Sequence, residues 1–326
     1  MLLLTKATFA VMIGFLLSAS LGLFLVPYLR KIKLGQRISV FVNENHKKKE
    51  GTPTMGGLLF IVPTFIATLI LVLTNKIIFS ENLAIVLIVF LGYAIIGFFD
   101  DLLSIRKHDN EGLSTIQKLI AQIIIAIGFF YIYVKNGGET AFIVSTLGIN
   151  IEMGWLYGVF ILFVLVGCSN AVNITDGLDG LAGGLSAIAF VAFGLVSIMA
   201  GYQDMGIFTF ILVGSLLGFL IYNTHPAKVF MGDTGSLALG GIMAAMAILT
   251  RRELTLLVVA GVFVIETLSV IIQTISVVFF NKKIFLMTPL HHHFEKLGWS
   301  ETDIVKLFMV FGLLLAMAGI FFGVWL

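Results

Sequence analysis

Charge is scarce in this sequence. Of its 326 residues, 12% are charged and 59% are hydrophobic, and the mean hydropathy is +1.08. Soluble domains carry about twice that share of charge. So few charges cannot cover a surface that faces water, so most of the chain must lie in lipid. The net charge of +2 gives no basic surface of the kind that nucleic acids require, so we expect no nucleic-acid partner.

Cysteine is also nearly absent, and so is alternating polarity. The single cysteine, Cys168, excludes an intramolecular disulfide. A membrane barrel would need strands of about 10 residues that alternate in polarity. The sequence instead has uncharged runs, such as 7–29, 153–175 and 180–203, that exceed the roughly 20 residues of a spanning helix. Because backbone groups in lipid must pair internally, these runs predict an all-α membrane protein.

The apolar runs predict ten membrane-spanning helices in one domain that covers residues 1–326. The predicted spans are 7–29, 55–74, 82–99, 116–134, 154–171, 180–200, 206–222, 236–250, 254–280 and 306–325. The segments between them are too short for a separate catalytic domain. Any chemistry must therefore use loops and helix ends, and the candidate active-site loops are 30–54, 100–118, 170–180, 223–236 and 281–305.

The distribution of lysine and arginine predicts the orientation. Loops that follow odd-numbered spans, with their helix ends, contain Arg30, Lys31, Lys33, Arg37, Lys47, Lys48, Lys49, Arg106, Lys107, Lys118, Lys228, Lys282, Lys283, Lys296 and Lys306. The opposite side has only Lys6, Lys76, Lys135, Arg251 and Arg252. Because cytoplasmic loops are enriched in these cations, we expect both termini outside. Asp100, Asp101, Asp176, Asp179 and Asp233 then all lie on the cytoplasmic side.

The first candidate site is the adjacent pair Asp100 and Asp101, where span 3 ends. Two neighbouring carboxylates at the edge of the hydrocarbon repel each other and are costly to desolvate, which favours a functional use. Carboxylates near one another suit Mg²⁺ that is bound together with substrate phosphates. The alternative is that both simply face headgroup water.

A second polar group lies between spans 5 and 6, where Asn170, Asn173, Asp176 and Asp179 are spaced by three. If this stretch is helical, the four side chains share one face. Gly177 and Gly180 would interrupt the helix or allow a ligand to approach the backbone. An ordinary capping turn is the alternative, because Asn, Asp and Gly favour caps and turns.

Asp233 lies between Gly232 and Gly235, just before span 8. The glycines permit a tight turn, and the unpaired N–H groups of the following helix can bind a phosphate. This is not a Walker A loop, since no G-x-x-x-x-G-K-[ST] is present. Asp233 could also cap the helix, and capping does not exclude metal binding.

Three further features are candidates for substrate contacts. His291, His292 and His293 follow span 9, and three contiguous histidines converge poorly on one zinc ion, so we interpret them as donors to phosphate or uracil. The run 52–57, Thr-Pro-Thr-Met-Gly-Gly, is interpreted as shaping a loop over the site. Lys118, at the start of span 4, either contacts phosphate or is a snorkelling anchor.

Glu266 lies near the middle of span 9, where an ionisable group is a candidate functional residue. We interpret it as a protonated or hydrogen-bonded structural residue that marks a helix break. An ion-coupled transporter is the alternative from another class, but transporters place their charged sites near the midplane, where this sequence has only Glu266.

Taken together, these motifs resemble the polyprenyl-phosphate N-acetylhexosamine-1-phosphate transferases over nearly the whole chain. The resemblance rests on the run 52–57, the pair 100–101 and the segments 170–180, 223–236 and 290–295, in the family order. The histidine triplet with Gly298 and Trp299 is closer to the muramoyl-pentapeptide branch than to the branch that uses UDP-GlcNAc, which remains the alternative.

The resemblance implies a bacterial inner-membrane enzyme of peptidoglycan synthesis with its active site facing the cytoplasm. Its substrates would be UDP-MurNAc-pentapeptide and undecaprenyl phosphate, its cofactor Mg²⁺ and its products lipid I and UMP. Asp100, Asp101 and Asp233 would be catalytic, with Asp233 and Asp176 as metal ligands. The implied substrate-binding residues are Lys118, Asn173, Asp176, Gly177, Leu178, Asp179, Asn223, Phe230, His291, His292 and His293. A homodimer is expected on the resemblance alone.

Overall fold

The computed structural model describes residues 2–32, 51–107, 112–144 and 149–325. These residues form a helical bundle with one short hairpin. The helices are α1 (Leu3–Lys31), α2 (Leu58–Leu73), α3 (Glu81–Lys107), α4 (Thr115–Lys135), α5 (Leu156–Thr175), α6 (Leu181–Met199), α7 (Gln203–Asn223), α8 (Gly232–Leu249), α9 (Glu253–Val259), α10 (Gly261–Phe280), α11 (Leu290–Lys296) and α12 (Glu301–Trp325). Strands β1 (Ala141–Val144) and β2 (Ile149–Glu152) are antiparallel, with Ala141 opposite Glu152.

Within the described residues, nine helices are long and apolar enough to cross a membrane, and the shorter α2 is also apolar. This confirms the prediction of an all-α polytopic membrane protein. Two boundaries differ from the prediction. Helix α3 continues to Lys107, so Asp100 and Asp101 lie within the helix rather than at its end. The predicted span 254–280 is interrupted at Ala260, whose ψ of 14° departs from the helical value.

Helix α8 lies at the centre of the bundle, and every residue from Thr234 to Leu249 is buried. Its sequence is rich in Gly, Ala and Ser, which lets the backbones of neighbouring helices approach closely. At Gly240, for example, a methyl group would lie 2.5 Å from the Cα atom of Ser169 on α5. This packing places the first turn of α8, and with it Asp233, in the middle of one end of the bundle.

That end is where α3, α5 and α7 finish and where α4, α6 and α8 begin, and we call it the site end.

At the opposite end, Arg251 connects the hairpin to the bundle. Its guanidinium donates hydrogen bonds to the carbonyl oxygens of Glu139 (3.1 Å) and Ala141 (2.5 Å) and lies over the ring of Tyr157. The hairpin was not predicted from the sequence, and Arg251 is one of the five cations on the side that has fewer of them.

Candidate active site

Lys118 joins two of the predicted aspartates at the site end. Its Nζ lies 2.5 Å from Oδ2 of Asp233 and 3.1 Å from Oδ1 of Asp100. Asp100 also accepts a hydrogen bond from the backbone N–H of Leu113, at 3.0 Å, where the chain enters α4. The start of α4 and the middle of α3 are therefore fixed around one cation. Lys118 faces the acidic cluster here rather than snorkelling outward.

Asp101 has a different environment from its neighbour. It is 5% exposed, and its carboxylate accepts hydrogen bonds from the backbone N–H groups of Asp233 (3.2 Å) and Thr234 (3.0 Å) and from the Thr234 hydroxyl (2.5 Å). The Thr54 hydroxyl donates to it as well, at 3.4 Å. A carboxylate at a helix N-terminus satisfies unpaired N–H groups and complements the helix dipole. Asp101 thus holds the first turn of α8, and with it the backbone of Asp233.

The side chain of Asp233 is held on both oxygens. Asn173 donates through Nδ2 to Oδ1 of Asp233 at 2.8 Å and to the Ser236 hydroxyl at 2.9 Å, while Lys118 contacts Oδ2. Ser236 was not selected from the sequence, although it lies in the segment 223–236. Asp233 therefore has a fixed orientation, as expected of a residue that must present an oxygen to a ligand.

Asp176 follows the last residue of α5 and has an unsatisfied carboxylate. No hydrogen bond from the described part of the chain reaches this side chain, which is half-buried. Burial, together with the charges of Asp233, Asp101 and Asp179, raises the pKa of Asp176 to about 8. Lys118 is the one cation among the described residues that contacts this cluster of carboxylates. The surplus of negative charge and the free oxygens of Asp176 fit a hard divalent cation such as Mg²⁺.

A common face for Asp176 and Asp179 was expected only if their stretch is helical, and the structure has the alternative, a turn. Helix α5 ends at Thr175, and Gly180 adopts the left-handed conformation with φ of 81°, so the residues 176–180 form a turn. We call them the α5–α6 turn. Within it, the Leu178 side chain is buried, and the carboxylate of Asp179 accepts the N–H of Ala227 in the connection between α7 and α8.

Asp179, His225 and Glu301 connect three segments of the site end. Nδ1 of His225 lies 3.1 Å from Asp179 and 3.3 Å from Glu301, and their ligand atoms lie within 4.8 Å of one another, as a metal site would require. However, Asp179 also accepts the N–H of Ala227 at 3.0 Å, and Glu301 accepts the N–H of Asp179 at 2.7 Å. These contacts account for the cluster as a link between the α5–α6 turn, the α7–α8 connection and α12. Glu301 was not selected from the sequence.

Asn223 strengthens the same connection, since its side chain accepts the N–H of Gly180 (3.1 Å) and donates to the carbonyl of Val229 (3.0 Å). Phe230, which directly follows Val229, is half-buried. Its backbone N–H donates to the carbonyl of Pro53, and its carbonyl accepts from Gly56, both at 2.8 Å. The ring of Phe230 is therefore presented by a backbone that is fixed on both sides.

The residues Pro53–Gly57, which we call the strap, lie along the segment 229–232. Besides the two bonds at Phe230, Gly57 donates to the carbonyl of Met231 at 2.9 Å. A methyl group on Gly57 would come within 2.5 Å of the backbone of Gly235, so only glycine permits this approach. The strap therefore fixes the chain that leads into Asp233. Residues 33–50 of the candidate loop 30–54 lie outside the described residues.

The three histidines lie on α11 and point to three different partners. The His291 ring is fully buried between Glu266 and Gly177, so it has no surface for a substrate in this arrangement. His292 lies 2.6 Å from Glu295, and His293 accepts the N–H of Leu286 at 3.1 Å. Burial lowers the pKa of the His291 imidazole. Sequence alone could not separate the buried histidine from the two that are partly exposed.

Comparison with known proteins gives the same assignment as the motifs. A sequence model described as glycosyl transferase family 4 matches residues 83–251. A second, described as phospho-N-acetylmuramoyl-pentapeptide-transferase signature 1, matches residues 49–61, which include the strap.

Relatives that carry the name phospho-N-acetylmuramoyl-pentapeptide-transferase align with this chain over almost their full length, and two of them serve as examples. The protein from Geobacillus thermodenitrificans is 48% identical over 317 residues, which cover 97% of this chain and 98% of the relative. The protein from Bacillus subtilis is 49% identical over 321 residues, which cover 98% of each. The chain therefore belongs to glycosyl transferase family 4 and, within it, to the phospho-N-acetylmuramoyl-pentapeptide-transferases.

Proposed function

We propose that this protein transfers phospho-MurNAc-pentapeptide from UDP-MurNAc-pentapeptide to undecaprenyl phosphate, giving lipid I and UMP. The observation that carries the proposal is the cluster in which Lys118 joins Asp100 to Asp233 and Asn173 holds the other oxygen of Asp233. Asp176 adds a carboxylate that has no hydrogen bond within the described residues. It lies at one end of a bundle of apolar helices, where a phosphate in water and a lipid phosphate in the membrane can meet. Relatives with this activity in their names share about half of its residues.

The proposal extends to location and cofactor. The chain is a multi-pass membrane protein of a bacterial family, and we assign the site end to the cytoplasmic face of the inner membrane because it carries most of the lysines and arginines. We assign the loops 30–54, 100–118, 170–180, 223–236 and 281–305 to this active site, of which residues 33–50 and 108–111 lie outside the described part of the chain. Mg²⁺ would be held by Asp233 and Asp176, and when bound it would neutralise the diphosphate and the UMP leaving group.

The other side chains of the proposed active site have separate roles in the reaction. Asn173 orients Asp233, and Asp101 fixes its backbone, so both act on the geometry of the metal site. Lys118 offers a positive charge to the phosphates that meet at this point. Phe230 can stack on uracil, with Asn223 and Asp179 holding the loops around the nucleoside. His292 and His293 are left as candidates for contacts with the pentapeptide or phosphates.

We favour direct transfer, in which an oxygen of the lipid phosphate attacks the β-phosphorus and UMP leaves. A phosphate monoester has a second pKa near ~6 and is mostly dianionic at neutral pH, so it needs little help from a base. Asp100 would orient the lipid phosphate and remove its proton when one is present. In the competing route an aspartate attacks first and a covalent phospho-enzyme forms.

Direct transfer predicts that labelled UMP does not exchange into UDP-MurNAc-pentapeptide when lipid phosphate is absent. Without an acceptor no bond to UMP is broken, whereas a phospho-enzyme would form and revert. The measurement is the appearance of label in the UDP-sugar, with undecaprenyl phosphate added to a parallel sample as a positive control for turnover. Exchange without the lipid would support the covalent route instead.

The donor sugar is tested by supplying purified protein with UDP-MurNAc-pentapeptide or with UDP-GlcNAc, each with undecaprenyl phosphate. We expect UMP release with the first donor to be on the order of 100-fold faster or more, because polar contacts to the larger donor stay unpaired with the smaller one. Lipid products are identified by mass spectrometry. Equal or faster turnover of UDP-GlcNAc would assign the chain to the sister activity.

A further inference from the structure

Glu266 is a fully buried carboxylate on α10 that the proposed reaction does not use. It is part of an unbroken helix, because the interruption predicted there lies at Ala260. Its two oxygens accept the backbone N–H groups of Leu290, at 2.7 Å, and of His291, at 3.1 Å. A buried carboxylate is costly unless it is hydrogen-bonded, and these two bonds compensate for its burial. Glu266 thus attaches the first turn of α11 to a membrane-spanning helix.

His291 extends this attachment towards the active site. Its Nδ1 lies 3.2 Å from Oε2 of Glu266, and the other edge of its ring packs against Gly177. A methyl group on Gly177 would overlap Nε2 of the ring and lie 3.0 Å from its Cε1. The imidazole therefore contacts Glu266 on α10 at one edge and the α5–α6 turn at the other.

Gly177 is the neighbour of Asp176, so the imidazole also limits where the Asp176 carboxylate can lie. Asp179 and Gly180 at the other end of the turn are held by Glu301 and Asn223. The side chain of Asp176 has no hydrogen bond within the described residues, so the contact between Gly177 and His291 is the restraint nearest to it. A one-ångström displacement of a group that holds a ligand can lower a rate by about 100-fold.

The geometry points to Glu266 and His291 as positioning residues, which press the α5–α6 turn towards Asp233 and so set the distance between the two proposed metal ligands. This inference rests on the proposed function, because it assigns Asp176 a ligand role. It gives His291 an indirect part in the reaction, through Gly177, instead of contact with the substrate.

The contact between Gly177 and His291 is tested by a double-mutant cycle. Gly177→Ala should lower kcat/KM for the UDP-sugar by about 10-fold or more, since the methyl group displaces the turn or the ring. His291→Ala should lower it by a similar factor. The double variant should be no worse than the poorer single variant, because the methyl group then occupies space that the ring has left. Independent, multiplied effects would overturn the inference.

Glu266→Gln tests the other half of the linkage. Glutamine places an NH₂ group where one of the two accepting oxygens of Glu266 lies, so a donor then faces one of the two N–H groups of α11. We expect a loss of about 10-fold, with a higher magnesium concentration needed for half-maximal activity and an unchanged KM for undecaprenyl phosphate. The effect should vanish when His291 is already alanine. An equal rise of both KM values would contradict a positioning role at the metal site.

Gly167→Ala is the matched control, because a methyl group at this position in α5 would meet no atom within 4 Å. It should leave activity unchanged. Melting temperatures in detergent separate loss of fold from loss of position. The melting temperatures also test the contact without relying on the proposed reaction. If the wild-type protein does not use UDP-MurNAc-pentapeptide, the Gly177 and His291 substitutions should still have non-additive effects on the melting temperature. Additive shifts there would overturn the contact itself.

Discussion

Replacing Asp233 with asparagine is expected to lower kcat by about 1,000-fold or more while the protein stays folded. The substitution removes the charge that would hold Mg²⁺ and places an NH₂ group opposite one of the two donors, Asn173 or Lys118. Release of UMP from UDP-MurNAc-pentapeptide, followed across a magnesium titration, measures the effect. Removal of magnesium by chelation should stop the wild-type enzyme to a comparable degree.

Asp204→Asn serves as the control for this variant, because it removes a carboxylate in the first turn of α7, at the opposite end of the bundle. It should retain nearly full activity. Activity within about 10-fold of wild type in the Asp233 variant, with the same magnesium requirement, would remove Asp233 from the metal site and leave Asp176 without its proposed partner.

Replacing Lys118 with methionine should lower kcat/KM by about 100-fold. Methionine keeps most of the length of the side chain but leaves Asp100 and Asp233 without the cation that lies 3.1 and 2.5 Å from them. The two carboxylates would then repel each other and the incoming diphosphate. Steady-state kinetics with both substrates varied give the size of the loss.

Lys118→Arg keeps the charge and should retain more activity than the methionine variant, although its planar group fits a site built for a compact ammonium imperfectly. Lys306→Met is the surface control, since Lys306 is exposed and pairs only loosely with Asp303 at 3.7 Å. If the Lys118 and Lys306 variants lost activity equally, the positive charge at the site would have no special part in the reaction.

The sequence predicted the helical membrane fold because uncharged runs of sufficient length have few other solutions in lipid. Alternate connections of a helical bundle share one end, so the sequence also indicated that Asp100, Lys118 and Asp233 lie on the same side. Asp100, Asp233 and Lys118 were all selected and lie together. Their catalytic and binding roles remain predictions that the experiments above address.

The details that sequence could not supply depend on tertiary contacts. Nothing local distinguishes Asp100, which faces Lys118, from Asp101, which caps a helix that begins 131 residues further along the chain, at Gly232. Asp176 and Asp179 would share a face only if the helix continued through both residues, but it ends at Thr175. The burial of His291 likewise depends on Glu266 and Gly177, two residues that are distant in sequence.

Arg251 has a consequence for the way in which membrane orientation is read from a sequence. Orientation rules treat every arginine as a free charge that resists translocation. This guanidinium is engaged by the carbonyl oxygens of the hairpin and by Glu139, so its placement follows from the demands of folding. When Arg251 is left out, the excess of lysine and arginine on the site end over the opposite face becomes larger. An orientation rule that gave less weight to arginines with internal partners would therefore assign the orientation of such proteins more clearly.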